Sequence, residues 1–319
     1  MKLRHLAAAA LVASSIGTAH ASLTTFQAFT GNVGLSSDGC GSTAQTCQLT
    51  ANIPAGATIR AAYLYTSTFT FSAPTFTGVG GTLDGVNVNY TALGANVISS
   101  AFALQAGRAD VTSIVQAKYD GVGGAYNFAV TETSSSQDGQ ALVVVYDLPS
   151  LATATVGILD GFSAVNGDST SITFASPLDP AAPGFFAEMR LGIGFSCCNQ
   201  RSSVTVNGTT ITTQAGDADD GSVSNGALIT VGGDNDAFTP DNPTYDNDNE
   251  RYNLVPRVAA GDTSISIRTV NPSNDDNIFL AMFYVRGEAQ FNATPEPSAL
   301  LLAGVGLLGL GLRRRRSAA

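Results

Sequence analysis

The central part of the chain is a succession of short apolar runs separated by turn-forming residues. Runs such as 58–66, 126–131 and 141–146 are rich in β-branched and aromatic residues and are bounded by Gly, Pro, Ser or Asp. Residues of these types favour strands, and the short spacing is typical of antiparallel sheets. The one helix-like stretch is 110–115, where Asp110 is placed to cap a single turn. The sequence therefore predicts an all-β body made of antiparallel, jelly-roll-like β-sandwiches.

The body also shows an internal repeat. The paired segments are 59–64 with 189–194, 85–90 with 204–209, 110–115 with 252–257, and 136–147 with 273–284. Their order is the same in both halves, and the scatter in their spacing is that expected of a duplicated unit with loop insertions. We predict a first β-sandwich at 22–165 and a second, related one at 166–291. The alternative is one large sandwich in which similar strands mimic a repeat.

The body is strongly acidic. Of the 15 Lys and Arg residues, two lie in the first 21 residues and four near the C-terminus, whereas all 25 Asp and Glu lie between these ends. The body therefore carries a net charge of about −16. A protein with this charge repels nucleic acid and anionic lipid, so we expect no nucleic-acid partner.

The body contains no histidine, since His5 and His20 both belong to the N-terminal segment. This absence excludes Ser–His and Cys–His nucleophiles and imidazole zinc ligands. Paired carboxylates remain available for catalysis, as in glycosidases. Such sites usually place aromatic platforms beside the acids, and the chain has no Trp. We therefore expect a protein that is not an enzyme.

The four cysteines fit a protein of an oxidising compartment. Cys40 and Cys47 enclose a small loop and are the preferred disulfide pair. Cys197 and Cys198 are adjacent, so a bridge between them would be strained; pairing with the first two, or a reduced state, stays open. A site with four cysteine ligands is disfavoured because neither pair has the spacer of a zinc knuckle.

Acidic loops in the second half offer oxygen ligands for a hard cation such as Ca²⁺. The candidates are Asp217, Asp219, Asp234, Asp236, Asp246 and Asp248. Their spacing does not match an EF-hand loop. A solvated acidic loop that protects a sheet edge explains the same residues. We predict no cofactor, with calcium as the alternative.

The first 21 residues have the order of parts of a secretory signal helix. Lys2 and Arg4 precede an apolar stretch at 6–16, and the segment ends in Ala19-His20-Ala21. This order predicts export and cleavage after Ala21, with Ala19 and Ala21 as the small residues that the signal peptidase reads.

The last residues, 292–319, combine a tripeptide, an apolar helix and a basic cluster. Pro295-Glu296-Pro297 precedes the apolar segment 298–312, which is followed by Arg313, Arg314, Arg315 and Arg316. Fifteen helical residues span about 22 Å, less than the roughly 30 Å of a bilayer core, and the arginine stems extend that reach. The arginines are expected to stay cytoplasmic, with the body outside. The segment thus predicts a single transmembrane helix that anchors a precursor.

This tail resembles the PEP-CTERM family of sorting signals, which have the same three parts in the same order. The resemblance covers about the last 25 residues and leaves the body unassigned. It implies that an exosortase-type membrane protease recognises Pro295, Glu296 and Pro297, and that Arg313 to Arg316 retain the precursor in the membrane before cleavage. A permanent single-pass anchor is the alternative, because an isolated tripeptide is a weak pattern.

The resemblance also implies a place and a role. PEP-CTERM proteins are associated with biofilm and extracellular polysaccharide, so we expect an inner-membrane-anchored precursor that passes to the cell surface or extracellular matrix. There it is expected to act as a non-catalytic structural or adhesive protein that contacts exopolysaccharide or cell-surface components. Two alternatives are a secreted carboxylate-dependent enzyme acting on polysaccharide and a carbohydrate-binding module. The latter would use Tyr63, Tyr65, Tyr90 and Tyr126 as stacking faces.

Overall fold

The architecture was taken from a computed structural model of the chain. It describes residues 23–41, 44–70, 76, 79–99, 102–164, 167–194, 200–216, 220, 229–272 and 277–294. Several predicted features lie outside these residues. They are the signal segment with Ala19 and Ala21, Cys197 and Cys198, Asp217 and Asp219, Pro295 to Pro297, the apolar tail helix, and Arg313 to Arg316.

The described chain is nearly all β, as the sequence predicts. The first strands are β1 (Thr24–Gly31), β2 (Val33–Gly41), β3 (Thr46–Ile53), β4 (Thr58–Thr70), β5 (Gly81–Leu83), β6 (Val86–Val88), β7 (Thr91–Ser99), β8 (Phe102–Asp110), β9 (Gly124–Glu132) and β10 (Gln137–Asp147). The others are β11 (Ala154–Asp160), β12 (Asp168–Phe174), β13 (Ala187–Gly194), β14 (Ser202–Val206), β15 (Thr209–Ala215), β16 (Ile229–Val231), β17 (Arg251–Asn253), β18 (Ser264–Val270), β19 (Asn277–Arg286) and β20 (Ala289–Thr294). A short helix, α1 (Thr112–Lys118), follows β8 where the sequence predicts one turn. Among the residues so described, no helix has the length and apolar character needed to cross a membrane.

The strands form four antiparallel sheets. Sheet I has the order β3-β9-β5-β6, and sheet II has the order β2-β10-β4-β8-β7. Sheet III has the order β1-β11-β19-β13-β16, with β17 also paired to β13. Sheet IV has the order β15-β14-β18-β12-β20. Sheets I and II enclose one hydrophobic core, and sheets III and IV enclose another. We call these pairs the first and the second sandwich.

A third core joins the two sandwiches. It lies between sheets II and III and contains Val143 and Val145 of β10 together with Phe279 and Met282 of β19. Sheets II and III are therefore buried on both faces, which explains why residues 141–146 of β10 and 278–285 of β19 are continuously apolar rather than alternating. The four sheets form a stack in the order I, II, III, IV.

The two sandwiches have the same strand order. The ladders β2-β10-β4-β8 and β3-β9-β5 of the first are matched by β11-β19-β13-β17 and β12-β18-β14 of the second. The helix α1 lies between β8 and β9, and a 3-10 turn, Val255–Arg257, lies between β17 and β18. The paired segments 59–64 and 189–194 fall on the corresponding strands β4 and β13, and 110–115 and 252–257 fall on the corresponding helix and turn. The pair 85–90 and 204–209 does not correspond, because the first contains β6 whereas the second contains β14, the counterpart of β5.

The pairing differs from the expected division at 165/166. Strands β1 and β11 both lie before residue 165, yet they pair with each other and join β19 in sheet III. After β1, the strands up to β10, which ends at Asp147, belong to the first sandwich. The strands from β11, which starts at Ala154, belong to the second. Apolar pattern alone did not reveal this, because β11 is buried on both faces and suits either sandwich.

Candidate functional site

The first predicted pair of cysteines lies at the junction of β2 and β3. Cys40 and Cys47 are joined by a disulfide with an S–S distance of 1.97 Å and a Cα–Cα distance of 6.2 Å. The bond connects the edge strand of sheet II to the edge strand of sheet I. Cys40 belongs to the first hydrophobic core and Cys47 packs against it, so the disulfide joins the two sheets of the first sandwich.

The predicted calcium ligands are engaged separately. Asp248 is fully buried and accepts hydrogen bonds from the hydroxyls of Thr212, Thr239 and Tyr252. Burial raises its pKa, and these hydroxyl donors oppose the rise. Asp246 is exposed in a 3-10 turn, Tyr245–Asn247. Asp248 is therefore an internal hydrogen-bonding centre of the second sandwich.

Two further candidates, Asp234 and Asp236, lie in the loop after β16. Asp236 accepts a hydrogen bond from the backbone N–H of Gly233, and burial raises the pKa of its carboxyl group. Asp234 is bound to an arginine of β13, as set out below. Within the described part of the chain, no three His, Cys, Asp or Glu side chains are grouped to hold a metal ion.

Two of the four tyrosines considered as stacking faces lie in a hydrophobic core, whereas Tyr90 and Tyr126 are partly exposed. Tyr63 and Tyr65 are 6% and 0% exposed and belong to the core between sheets II and III. Their hydroxyls donate to Gln27 and Asp160. Neither ring can stack on a ligand, because each is enclosed by core side chains. The stacking alternative is therefore wrong for these two tyrosines.

A cleft with a volume of about 660 Å³ lies between the two sandwiches. The first sandwich contributes Leu35, Asn52 and Tyr146, among others, and the second contributes Phe186, Glu188 and Tyr284. We call it the inter-sandwich cleft. Clefts at junctions of this kind, lined by aromatic residues and a few polar groups, are the usual places for small ligands.

Alternation along β13 places charged side chains at this cleft. Met189 and Leu191 point into the core of the second sandwich, so Glu188 and Arg190 point the other way, toward sheet II. Both charged side chains are nearly buried, at 7% and 3% exposure. A buried charge needs a partner and hydrogen bonds, and these two residues supply each other with both.

Arg190 organises the floor of the cleft. Its Nε and Nη2 donate to Oε1 of Glu188 at 3.1 and 2.7 Å, and its Nη1 donates to Oδ1 of Asp234 at 2.6 Å. The same Nη1 donates to the hydroxyl of Ser37 on β2 at 2.8 Å. Burial alone would lower the pKa of Arg190, but the charges of Glu188 and Asp234 outweigh it and raise this pKa. One guanidinium thus joins two carboxylates of the second sandwich to a strand of the first.

Two neighbours extend this network. Asp234 also accepts a hydrogen bond from the hydroxyl of Ser36 at 2.6 Å. The side-chain amide of Asn52 donates to the same carboxylate oxygen of Asp234, at 3.4 Å. Arg251 of β17 lies 3.4 Å from Oε2 of Glu188, and its guanidinium stacks over the ring of Phe238. In the polar part of the cleft, each carboxylate is therefore next to a guanidinium: Asp234 contacts Arg190, and Glu188 contacts both Arg190 and Arg251.

The aromatic wall of the cleft is anchored by contacts within it. The rings of Phe186 and Tyr284 pack with their centroids 4.5 Å apart, and the Tyr284 hydroxyl donates to the carbonyl of Val33. Burial raises the pKa of Tyr284. Burial, followed by the charges of Tyr284 and Asp234, raises the pKa of Tyr146 to about 12. Both phenols therefore stay protonated at neutral pH and are hydrogen-bond donors.

This arrangement suits binding better than acid–base catalysis. In a glycosidase, substrate or water occupies the space between the two carboxyl groups. Here the guanidinium of Arg190 lies between Glu188 and Asp234 and is ion-paired to both. Sequence reasoning missed this site, although two charges spaced by one residue in the buried strand 187–194 were a signal for it.

Comparison with known proteins identifies the tail alone. The model of the PEP-CTERM protein-sorting motif matches residues 293–316. No curated protein matches the chain, and no solved structure does. The match begins on the last two residues of β20, the edge strand of sheet IV, so the motif follows directly on the β body. The chain therefore carries a PEP-CTERM protein-sorting motif in its C-terminal segment.

Proposed function

We propose that the chain is a non-catalytic protein of the cell surface or extracellular matrix, with a structural or adhesive role in the exopolysaccharide or biofilm layer. The observation that carries this proposal is the sorting motif, which implies an exosortase-sorted surface protein. The precursor is exported behind the N-terminal signal, held in the inner membrane by its tail, and released by exosortase cleavage near Pro295-Glu296-Pro297.

The β body supports a mechanical role. Three hydrophobic cores lie between successive sheets of the stack. The faces that the two sandwiches turn toward each other are therefore buried in the third core. A stack of this kind resists local opening, since separating the sandwiches exposes the apolar faces of sheets II and III. The acidic surface keeps copies of the protein soluble outside the cell.

The test of sorting is mass spectrometry of the mature C-terminus. We expect normal cells to yield a protein that ends near Pro297, and cells without the exosortase to yield a protein that retains Arg313 to Arg316. Cell fractionation should move the protein from the matrix fraction to the inner membrane in the same comparison. Recovery of the intact tail from normal cells would refute processing and leave a permanent anchor.

A second candidate function rests on the cleft. Glu188 and Asp234 are two acids in one cavity, which is the arrangement expected of a carboxylate-dependent enzyme acting on polysaccharide. The ion pairs to Arg190 weigh against it, because they occupy both acids. Release of reducing sugar from polysaccharide by the wild-type protein, abolished in Glu188→Gln and in Asp234→Asn, would establish the enzyme instead.

A further inference from the structure

The inter-sandwich cleft contains a hydroxyl group that forms no hydrogen bond with the described part of the protein. Within the described part of the chain, the Tyr146 hydroxyl has no hydrogen-bond partner, although the residue is only 9% exposed. The Nε of Arg251 is also unpaired among these residues, but it is enclosed by protein atoms, and the Nη1 and Nη2 of this residue donate to the carbonyl of Asp236 and to Glu188. Buried polar groups are nearly always satisfied by protein, water or ligand, so the Tyr146 hydroxyl marks a point where the cleft can bind a polar molecule.

The charges of the cleft cancel. Arg190 and Arg251 supply two positive charges, and Glu188 and Asp234 supply two negative ones. A ligand in the cleft therefore meets strong donors and acceptors without a net local charge. The body as a whole is strongly negative and repels anions at long range. A neutral ligand with many hydroxyl groups fits this combination better than an ionic one.

The remaining walls are flat and apolar. Phe186 and Tyr284 form a packed aromatic surface, and Leu35 and Pro54 face the cleft from the first sandwich. Aromatic side chains offer large, rigid contact area to molecules that have one apolar face and one polar edge. The cavity, about 660 Å³, lies within the range of ordinary ligand sites.

We propose that the inter-sandwich cleft binds a neutral sugar unit of a polysaccharide. The apolar face of the sugar ring packs against Tyr284 and Phe186. Its hydroxyls bond to Tyr146, to the amide of Asn52 and to Arg251. The network around Arg190 holds both sandwiches in the binding geometry before the sugar arrives, which lowers the entropic cost of binding. This inference rests on the proposed function and names the class of ligand that the surface protein binds.

The binding test uses saturation-transfer difference NMR on the full chain in a zwitterionic detergent without a sugar headgroup. The probes are the methyl glycosides of D-glucose, D-galactose, D-mannose and N-acetyl-D-glucosamine, with D-glucuronate as the anionic comparator. We expect saturation transfer to at least one neutral glycoside, with an affinity in the millimolar range, and weaker transfer to D-glucuronate.

Matched variants locate the site. Tyr146→Phe and Asn52→Ala each remove one hydrogen-bonding group, so each should weaken binding by about two- to tenfold. The controls are Tyr90→Phe and Asn87→Ala, which change the same residue types on or just after β6 of the first sandwich, and neither residue is among those that line the cleft. The controls should bind as the wild type does, and equal melting temperatures would show that all four variants are folded.

Three outcomes overturn the inference. They are transfer to none of the neutral glycosides, preference for D-glucuronate, and binding that Tyr146→Phe and Asn52→Ala leave unchanged. None of these outcomes bears on sorting, which the mature C-terminus reports separately. A protein that is correctly processed and found in the matrix but does not bind the neutral sugars would therefore refute sugar binding in the cleft. It would leave the proposed function unaffected.

Discussion

Replacing Arg190 by Met should destabilise the whole β stack. The substitution keeps an apolar stem but removes a guanidinium that is 3% exposed and bonded to Glu188, Asp234 and Ser37. Asp234 then loses its ion pair, and Glu188 retains only the longer contact with Arg251 at 3.4 Å. Breaking a buried ion pair by removing one partner typically costs about 3 to 5 kcal/mol, because the remaining charge is uncompensated. We expect a loss of that size in the free energy of unfolding.

The control is Arg60→Met on β4. Arg60 forms an ion pair with Asp147 at 3.3 Å, but the two side chains are 38% and 43% exposed. Pairs of this kind contribute about 0 to 1 kcal/mol. The two substitutions are chemically identical, so the difference between them isolates burial.

Urea denaturation followed by circular dichroism measures both losses. The midpoint should fall clearly for Arg190→Met and hardly at all for Arg60→Met, with an unchanged slope in both. The triple variant Arg190→Met, Glu188→Gln, Asp234→Asn should recover much of the loss, since it removes the uncompensated charges as well. Equal midpoints for Arg190→Met and Arg60→Met would refute the idea that the ion network ties the sandwiches together.

Two other predictions concern pH and the disulfide. Burial raises the pKa of Asp38 to about 6 and that of Glu132 to about 7. Both groups bind protons more tightly in the folded state, so their contribution to stability is fully present below about pH 4 and is lost as pH rises to about 7. The melting temperature of Glu132→Gln should therefore fall less between pH 5 and pH 8 than that of the wild type, and parallel curves would contradict this. Replacing Cys40 and Cys47 by Ser should lower the free energy of unfolding by about 2 to 3 kcal/mol, the chain-entropy cost of a loop this short. An unchanged urea midpoint would show that the bond does not constrain the unfolded chain.

The β class of the body was predictable because it depends on local pattern. Strands β4, β10 and β19 coincide with apolar runs that are recognisable without any knowledge of their partners. The antiparallel arrangement follows from short turns between such runs. The helix α1 was predictable for the same reason, since it is a single short stretch after Asp110.

The candidate site was not predictable to the same degree. The acidic residues that looked like cation ligands are adjacent in sequence, yet Asp234 pairs with Arg190 whereas Asp248 is enclosed by three hydroxyls. Proximity along a loop does not decide which way carboxylates point. The tyrosines at 63 and 65 suited a stacking surface by type, but the third core covers them.

The sequence by itself determined that the chain carries a sorting motif and which class of structure it forms, because both depend on residues that are close together in the chain. The tail motif is a linear signal, and strand formation follows from side-chain type and spacing. Only the tertiary structure decided that β1 joins the second sandwich, that sheets II and III share a core, and that Ser37 meets Arg190 across 153 residues. Those outcomes depend on which apolar faces are buried against each other, and that choice is made by packing of the whole chain rather than by any one segment.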